Sequence, residues 1–353
     1  MPLFSHARRF PRQPLWVAPG RLAGLFRPGA HVQTRLKAMG WVVCLTGGLW
    51  FTGCADLPPL TRAVEDNRIA QAEDMVRRGA DVDEKDKHQG RTPLMAAAIL
   101  GREEITRMLL KHKADPNLSD MDGQTALILA VRSGQGGAVR LLLAAGAQPN
   151  AKSITGNTAL HWAALTNPPA EPRPQQPVRP QYPAAGINPK DGGNPGEALP
   201  EPETWSQLQM VQQLLAAGAD PKARNQAGNT PLMSAAEGGK PEVMALLLDS
   251  GTPVNARNTL GMTALAWAAL KGHEAGVRLL LGRGASPDLH GGMGETPLML
   301  ASAAGYEGVV QALLDHHAQP ALRNRRGDTA LSLARQRGHT GIQNLLRHAG
   351  AKE

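Results

Sequence analysis

Few side chains in the 353-residue chain combine the types and spacings that catalysis or metal binding requires. Its two cysteines, Cys44 and Cys54, both fall within the first 54 residues, so the rest of the chain offers neither a disulfide nor a thiolate metal site. The adjacent His316 and His317 are suitable metal ligands, but no cysteine or carboxylate stands near them at ligand spacing, which favours a solvated helix end. The sequence contains no nucleophile elbow, HExxH motif, P-loop or dinucleotide fingerprint. It therefore predicts no catalytic centre, no metal site and no cofactor.

Residues 1–54 form a basic N-terminal segment. They carry seven of the 38 Lys and Arg residues and no Asp or Glu. Arg35 and Lys37 are followed by fourteen uncharged residues, from Ala38 to Phe51. A positive region before an apolar run of this length is typical of a signal peptide, because a membrane-spanning helix needs roughly 20 apolar residues. The residues before Arg35 make the segment unusually long, and a later start codon would give a signal peptide of ordinary length.

The end of this segment, Phe51-Thr52-Gly53-Cys54, resembles the lipobox of bacterial lipoproteins, with Phe51 where that family usually has leucine. The resemblance implies cleavage after Gly53 and diacylation of the Cys54 sulfur, whose acyl chains would anchor the protein. Ala55 after the cysteine implies sorting to the outer membrane. The alternative is an uncleaved anchor in the inner membrane. Both interpretations place the remaining residues at the periplasmic face of the cell envelope.

The charges beyond residue 54 balance. The whole chain has a formal charge of +8, but 31 basic and 30 acidic residues follow the N-terminal segment. A net charge of +1 provides no field that attracts phosphate, and basic residues do not alternate with aromatic ones. The sequence therefore argues against nucleic acid as a partner and limits membrane contact to the N-terminal lipid or anchor.

A phrase that begins with threonine recurs every 33 residues, at every step but one. The threonines are Thr92, Thr125, Thr158, Thr230, Thr263, Thr296 and Thr329. A glycine stands two residues before each of them, and the phrase continues as TPLM, TALI, TALH or a close variant. Thr-Pro-Leu-His-x-Ala at this period is the ankyrin signature. Residues 55–353 therefore resemble an ankyrin-repeat domain of about eight units.

The physical chemistry of one unit agrees with this resemblance. Glycine tolerates the positive φ of a turn, and threonine can cap a first helix whose paired alanines let neighbouring units approach. A glycine nine residues after most of the threonines ends that helix, and consecutive leucines form the buried stripe of a second helix. A unit without its turn, from Pro59 to Ala80, precedes the first full repeat. We expect an all-α, monomeric ankyrin solenoid of helix–turn–helix units with short β-turn fingers.

The one irregular step separates Thr158 from Thr230 and contains an insertion at residues 168–205, within the third full repeat. The break follows Asn167, between the two helices of that repeat, and the second helix is expected to resume around Leu208. Eleven prolines in the insertion favour polyproline II and prevent a packed core. We expect a disordered surface loop. The alternative is an arm that binds a partner.

Ankyrin repeats present partners with their finger tips and the inner face of the first helix, and this resemblance places candidate binding residues in the chain. Several of these positions are apolar where solvent favours polar side chains. The candidate partner-binding residues are Met121, Ile154, Leu260, Met262 and Met293 on the fingers, and Ile99, Leu100, Leu165 and Leu270 at the inner helix ends. Clustered exposed apolar groups indicate a partner surface. The alternative is that these side chains pack against the next finger.

Five other large side chains are expected in the core. They are Met95, Met233 and Met299, which replace the histidine of the family phrase, and Trp162 and Trp267.

Together these features predict a protein–protein interaction module that is not an enzyme. Its expected location leads to two hypotheses for its role. One is a lipid-anchored scaffold or protector of an envelope protein. The other is an immunity or inhibitor protein that blocks a toxic envelope-acting enzyme, and the identity of the partner distinguishes the two.

Overall fold

The computed structural model describes residues 57–165 and 206–352, which fall within one compact unit. The predicted lipidation site Cys54, the signal segment and the insertion at 168–205 lie outside the described residues. The described part of the chain forms sixteen α-helices and one isolated β-bridge, between Ser119 and Thr125. None of these helices is both long and apolar enough to cross a membrane.

The helices form eight pairs, each with a first and a second helix that pack against each other. The first helices are α1 (Pro59–Glu65), α3 (Pro93–Leu100), α5 (Ala126–Arg132), α7 (Ala159–Leu165), α9 (Pro231–Glu237), α11 (Ala264–Lys271), α13 (Pro297–Ala304) and α15 (Ala330–Gln336). The second helices are α2 (Ile69–Arg77), α4 (Glu103–Lys111), α6 (Gly136–Ala144), α8 (Gln207–Ala216), α10 (Pro241–Asp249), α12 (Glu274–Gly282), α14 (Glu307–Asp315) and α16 (Thr340–His348). First helices stack on first helices and second on second, which confirms the predicted all-α solenoid.

The repeated threonines begin the first helices. The Met95 backbone N–H donates to Thr92 Oγ1 at 3.3 Å, and five further threonines accept the equivalent bond, namely Thr125, Thr230, Thr263, Thr296 and Thr329. Each such bond satisfies an N–H group that has no partner within its own helix. Behind the cap, the side chains of Ala97 and Ala98 are fully buried, so neighbouring helix backbones pack closely.

A ladder of backbone hydrogen bonds joins each finger to the next. Each bond runs from a backbone N–H to a carbonyl oxygen of the preceding finger. The six pairs are Met121 to Gln89, Ile154 to Asp122, Gln226 to Thr155, Thr259 to Ala227, Gly292 to Leu260 and Arg325 to Met293. Glycine is required where the chain turns beneath this ladder. At Gly123, φ is +70° and a Cβ would lie 2.8 Å from the Ile154 backbone nitrogen. The ladder therefore fixes the spacing of the finger tips.

The stack is continuous on both sides of the insertion. α7 ends at Leu165, α8 begins at Gln207, and the two helices pack as a pair, as in the other units. The ladder also continues here, because Gln226 N donates to Thr155 O at 3.0 Å.

The core runs along the interface between the two helix layers. Met95, Met233 and Met299 are buried within it, which confirms that they fill the core. Trp162 and Trp267 differ from the prediction, because they pack against the core but are only half-buried. Both tryptophans lie four residues after a repeat threonine, on the side of the first helix that faces the fingers and not the second helix.

Candidate partner-binding surface

The finger-facing side of the first helices is defined by contacts between helix side chains and the fingers. Arg132 on α5 donates to Gln124 Oε1, and Gln336 Nε2 on α15 donates to Asp328 Oδ1 at 3.3 Å. Gln124 and Asp328 each directly precede a capping threonine, so side chains seven residues after that threonine lie beneath the fingers. Residues one helical turn earlier share the same face. We call this helix face, together with the finger tips, the inner surface.

Two pairs of apolar side chains are exposed at the finger tips. Leu260 and Met293 lie on neighbouring fingers and are 65% and 47% exposed, and the Gly292 N–H donates to Leu260 O between them. Met121 and Ile154 form the other pair, 65% and 59% exposed, on fingers joined by the bond from Ile154 N to Asp122 O. The ladder therefore holds each pair side by side on a rigid edge.

The other predicted binding residues are less exposed. Leu100 is exposed at the end of α3, whereas Ile99, Met262, Leu165 and Leu270 are half-buried. A Cβ at Gly291 would lie 3.2 Å from Met262 Sδ, so the Met262 side chain packs against the next finger. Burial by a neighbouring finger is a tertiary effect that the tip position in the sequence does not reveal.

The inner surface also carries two aromatic–cation pairs that the sequence reasoning missed. The Arg132 guanidinium lies 4.6 Å from the centre of the Trp162 ring, and Lys271 Nζ lies 6.0 Å from the centre of the Trp267 ring. Lys271 also approaches Glu237 Oε1 at 3.4 Å. Both tryptophans stand four residues after a threonine, one turn before the finger-facing position. This spacing between threonine and tryptophan is the sequence signal that could have predicted aromatic side chains on the inner surface.

Comparison with known families gives the assignment of the chain. A family model described as ankyrin repeats (3 copies) matches residues 60–153, 205–291 and 276–353, well over half of the sequence. The chain belongs to the ankyrin-repeat family. No curated protein matches it. Ankyrin repeats are protein–protein interaction modules, so the chain contains such a module, and proteins of this family are generally not enzymes.

The single histidine in the ankyrin phrase, His161, has a structural role. Its Nδ1 lies 2.9 Å from Thr158 Oγ1, and its Nε2 donates to the carbonyl oxygen of Asn229, in the next finger, at 3.0 Å. Burial lowers the pKa of His161 below its usual range, although the bond to Asn229 opposes this change. A buried neutral imidazole with both nitrogens occupied links two ankyrin repeats rather than acting as an acid or base.

The described residues also include a small pocket. It measures about 350 Å³ and lies between α1 and α2, where Arg68 Nη2 pairs with Asp66 Oδ2 at 3.1 Å. Within 57–165 and 206–352, no group of three or more His, Cys, Asp or Glu side chains is placed to hold a metal ion. The inner surface is the candidate site for contact with another protein in the described part of the ankyrin domain.

Proposed function

We propose that this ankyrin domain binds a protein of the bacterial cell envelope through its inner surface, while a lipid on Cys54 holds it at the periplasmic face. The exposed neighbouring side chains Leu260 and Met293 carry the binding half of this proposal. Apolar side chains exposed next to each other on one edge favour contact with another protein.

The rigidity of the fingers supports this assignment. Burying a Leu or Met side chain contributes about 1.5–3 kcal/mol, but binding must also offset the ordering of both partners. The ladder bonds from Gly292 N to Leu260 O, 2.6 Å, and from Arg325 N to Met293 O, 3.0 Å, fix the backbone at both tips before a partner arrives. Little conformational entropy is then lost on binding.

The tether is supported by the residues around Cys54 and by chain length. The described domain begins at Leu57, three residues after Cys54. Three residues span at most about 11 Å. A lipid on the cysteine would therefore keep the first repeat near the membrane surface, within reach of envelope proteins.

The role that we favour is a scaffold or protector of an envelope protein. An immunity or inhibitor protein would use the same surface and the same anchor. A toxic enzyme as the bound partner would favour the inhibitor, and a housekeeping protein would favour the scaffold.

In-cell crosslinking of the tagged full-length chain, followed by pull-down, tests the surface. We expect a defined envelope partner that is lost with Leu260→Asp/Met293→Asp, because two buried charges oppose the interface. The matched control, Gln212→Asp/Gln213→Asp, adds the same charges to exposed positions on α8 and is expected to keep the partner. Retention of the partner by the tip variant would exclude these residues as the contact, and recovery of cytoplasmic proteins alone would exclude the envelope assignment.

The anchor is tested separately, by labelling cells with radioactive palmitate and separating their membranes. The unaltered chain is expected to incorporate label and to sediment with the outer membrane. Cys54→Ala should abolish labelling, whereas Cys44→Ala should not. Labelling that survives in Cys54→Ala would reject Cys54 as the lipidated residue.

A further inference from the structure

The charges of the ankyrin domain are separated along the stack, although their sum is near zero. Residues 316–353 contain seven Lys and Arg residues and two Asp and Glu residues. Outside the insertion, residues 55–167 and 206–315 contain 21 basic and 23 acidic residues, so the stack has a net charge of −2 before its last unit and +5 in that unit. A terminal repeat needs polar groups for solubility, but nothing in that role requires charges of one sign.

Four arginines of the last unit define a surface that we call the C-terminal arginine cluster, namely Arg323, Arg325, Arg326 and Arg337, all of them exposed. Arg325 and Arg326 form the tip of the last finger, and Arg337 directly follows α15. Gln336, next to Arg337, donates to Asp328, two residues after Arg326. This bond brings the end of α15 to the base of the same finger.

These guanidinium groups have few partners within the described residues. No carboxylate there lies within ion-pair distance of Arg325, Arg326 or Arg337. Asp328, in the same finger, accepts hydrogen bonds from Asn324 and Gln336 instead.

The hydrogen bonds of Arg323 differ from those of the arginines at the equivalent position in earlier repeats. Arg224 Nη1 donates to Gly228 O in its own finger and also to Arg257 O in the next finger, at 2.7 Å. Arg257 likewise reaches His290 O at 2.8 Å. Arg323 keeps the bond within its own finger, to Gly327 O at 2.8 Å, but no described finger follows it. Within the described residues, Arg323 makes no bond between fingers of the kind that Arg224 and Arg257 make.

We infer that the C-terminal arginine cluster binds the carboxylates of an acidic segment in the partner protein. This inference rests on the proposed function, because the cluster continues the row of tips formed by Leu260 and Met293. Arg326 occupies the next position in that row, and the bond from Arg325 N to Met293 O joins the two fingers. The partner segment would thus place apolar side chains on Leu260 and Met293 and carboxylates on the arginines. Guanidinium groups bind carboxylates with paired, charge-assisted hydrogen bonds.

The charge distribution favours a short acidic segment over a polyanion. A nucleic acid or an anionic membrane extends well beyond one repeat, and the remaining repeats, with a net charge of −2, would add no attraction for it. Screening confines the attraction to about 8 Å at physiological salt, so a segment that contacts only the last unit is not repelled by the rest. The apolar tips beside the cluster also suit a protein segment.

Fluorescence anisotropy with the purified full-length chain tests this inference. The probe is a labelled peptide with two leucines followed by a run of glutamates, and its control has glutamines in place of the glutamates. We expect the glutamate peptide to bind more tightly, with an affinity that falls as salt rises. Arg325→Ala/Arg326→Ala should weaken this binding by about tenfold. Arg77→Ala/Arg78→Ala, which removes the same charge from the exposed end of the first unit, should leave binding unchanged.

Several results would overturn the inference. Equal binding of the two peptides, or equal loss with both arginine pairs, would show that the cluster does not select carboxylates. If the chain bound phosphatidylglycerol vesicles or an oligonucleotide more tightly than the glutamate peptide, the ligand of the C-terminal arginine cluster would be a polyanion and not an acidic protein segment. Salt-sensitive self-association in light scattering, lost with Arg325→Ala/Arg326→Ala, would assign the cluster to a second copy of the chain.

The in-cell pull-down separates this inference from the proposed function. Loss of the envelope partner with Leu260→Asp/Met293→Asp but not with Arg325→Ala/Arg326→Ala would leave the proposed function intact and reject the arginine contact. Loss of the envelope partner with both the tip variant and the arginine variant, and its retention with Arg77→Ala/Arg78→Ala, would support the proposed function and the arginine contact together.

Discussion

At the scale of single residues, His161 shows how one polar side chain joins two repeats. Three other repeats place methionine at the same position of the phrase, as Met95, Met233 and Met299, whose side chains are buried in the core. His161 instead donates to Asn229 O, from the repeat that carries the insertion to the finger of the next repeat. Removing the imidazole leaves that carbonyl without this donor, which destabilises the fold if water cannot replace it.

We predict that His161→Met lowers the free energy of unfolding by about 1–3 kcal/mol at pH 7.5, because packing is kept but the hydrogen bonds are lost. Burial lowers the pKa of folded His161, so the unfolded chain binds the proton first as the pH falls. The stabilisation is therefore fully present above a pH of about 6.5, the pKa of an unperturbed histidine, and is lost below it. Urea unfolding between pH 7.5 and pH 5 should show the two proteins converging in stability.

His88→Gln is the control for this pH profile, because His88 lies at an exposed finger position. It should follow the unaltered chain at every pH. If the difference in free energy of unfolding between the unaltered chain and His161→Met stays constant with pH, protonation of His161 does not contribute to the pH dependence of stability.

At the scale of elements, the repeat that carries the insertion is held together by the same contacts as its neighbours. α7 packs on α8 and on α9, the ladder continues from Thr155 to Gln226, and Asp220 N donates to Asn150 Oδ1 at 2.7 Å. These contacts do not involve residues 168–205. Closing a long loop costs conformational entropy that rises slowly with its length.

We predict that deleting residues 168–205 keeps the helical circular dichroism spectrum and raises the free energy of unfolding by about 1–2 kcal/mol. Gly156→Ala in the full chain should act in the opposite direction. Gly156 has φ of +78°, and a Cβ there would lie 2.7 Å from Gln226 N, so the ladder would be strained at the same repeat. We expect a loss of about 1–3 kcal/mol. Loss of cooperative unfolding in the deletion variant would mean that the insertion is part of the folded repeat.

At the scale of the whole described domain, stability depends on contacts between neighbours. α1 and α2 begin the stack and α15 and α16 end it, so each of these units packs on one neighbouring repeat, whereas an inner unit packs on two. In a repeat array, the sum of intrinsic and nearest-neighbour terms makes the ends open most readily.

We predict that amide hydrogen exchange, followed by mass spectrometry, is slowest in α9 and α11 and fastest in the first and last units. Two matched substitutions test the coupling, because Leu247 in α10 and Leu346 in α16 are both fully buried. Each Leu→Ala change removes about 2–5 kcal/mol of local packing. Leu247→Ala should speed exchange in the repeats on both sides, and Leu346→Ala mainly in the last unit. Uniform exchange along the chain would show that the array unfolds as a single unit.

Most of the fold was predictable because each repeat encodes it locally. The spacing of threonine and glycine sets the cap and the turn of each full repeat, and seven phrases separated by 33 residues at every step but one made the solenoid evident. Exposure at the inner surface was only partly predictable. Leu260 and Met293 protrude as expected, but Met262 packs against the next finger and Trp162 and Trp267 face the fingers.

The sequence by itself therefore determined the ankyrin family, the order of the repeats, and most of the residues that cap and fill them. Only the tertiary structure decided which apolar side chains remain exposed, which cations lie over the tryptophans, and where the last finger's arginines stand relative to Met293. The physical reason is that capping and turns depend on residues close in the chain, whereas the exposure of an inner-surface side chain depends on the neighbouring repeat, about 33 residues away.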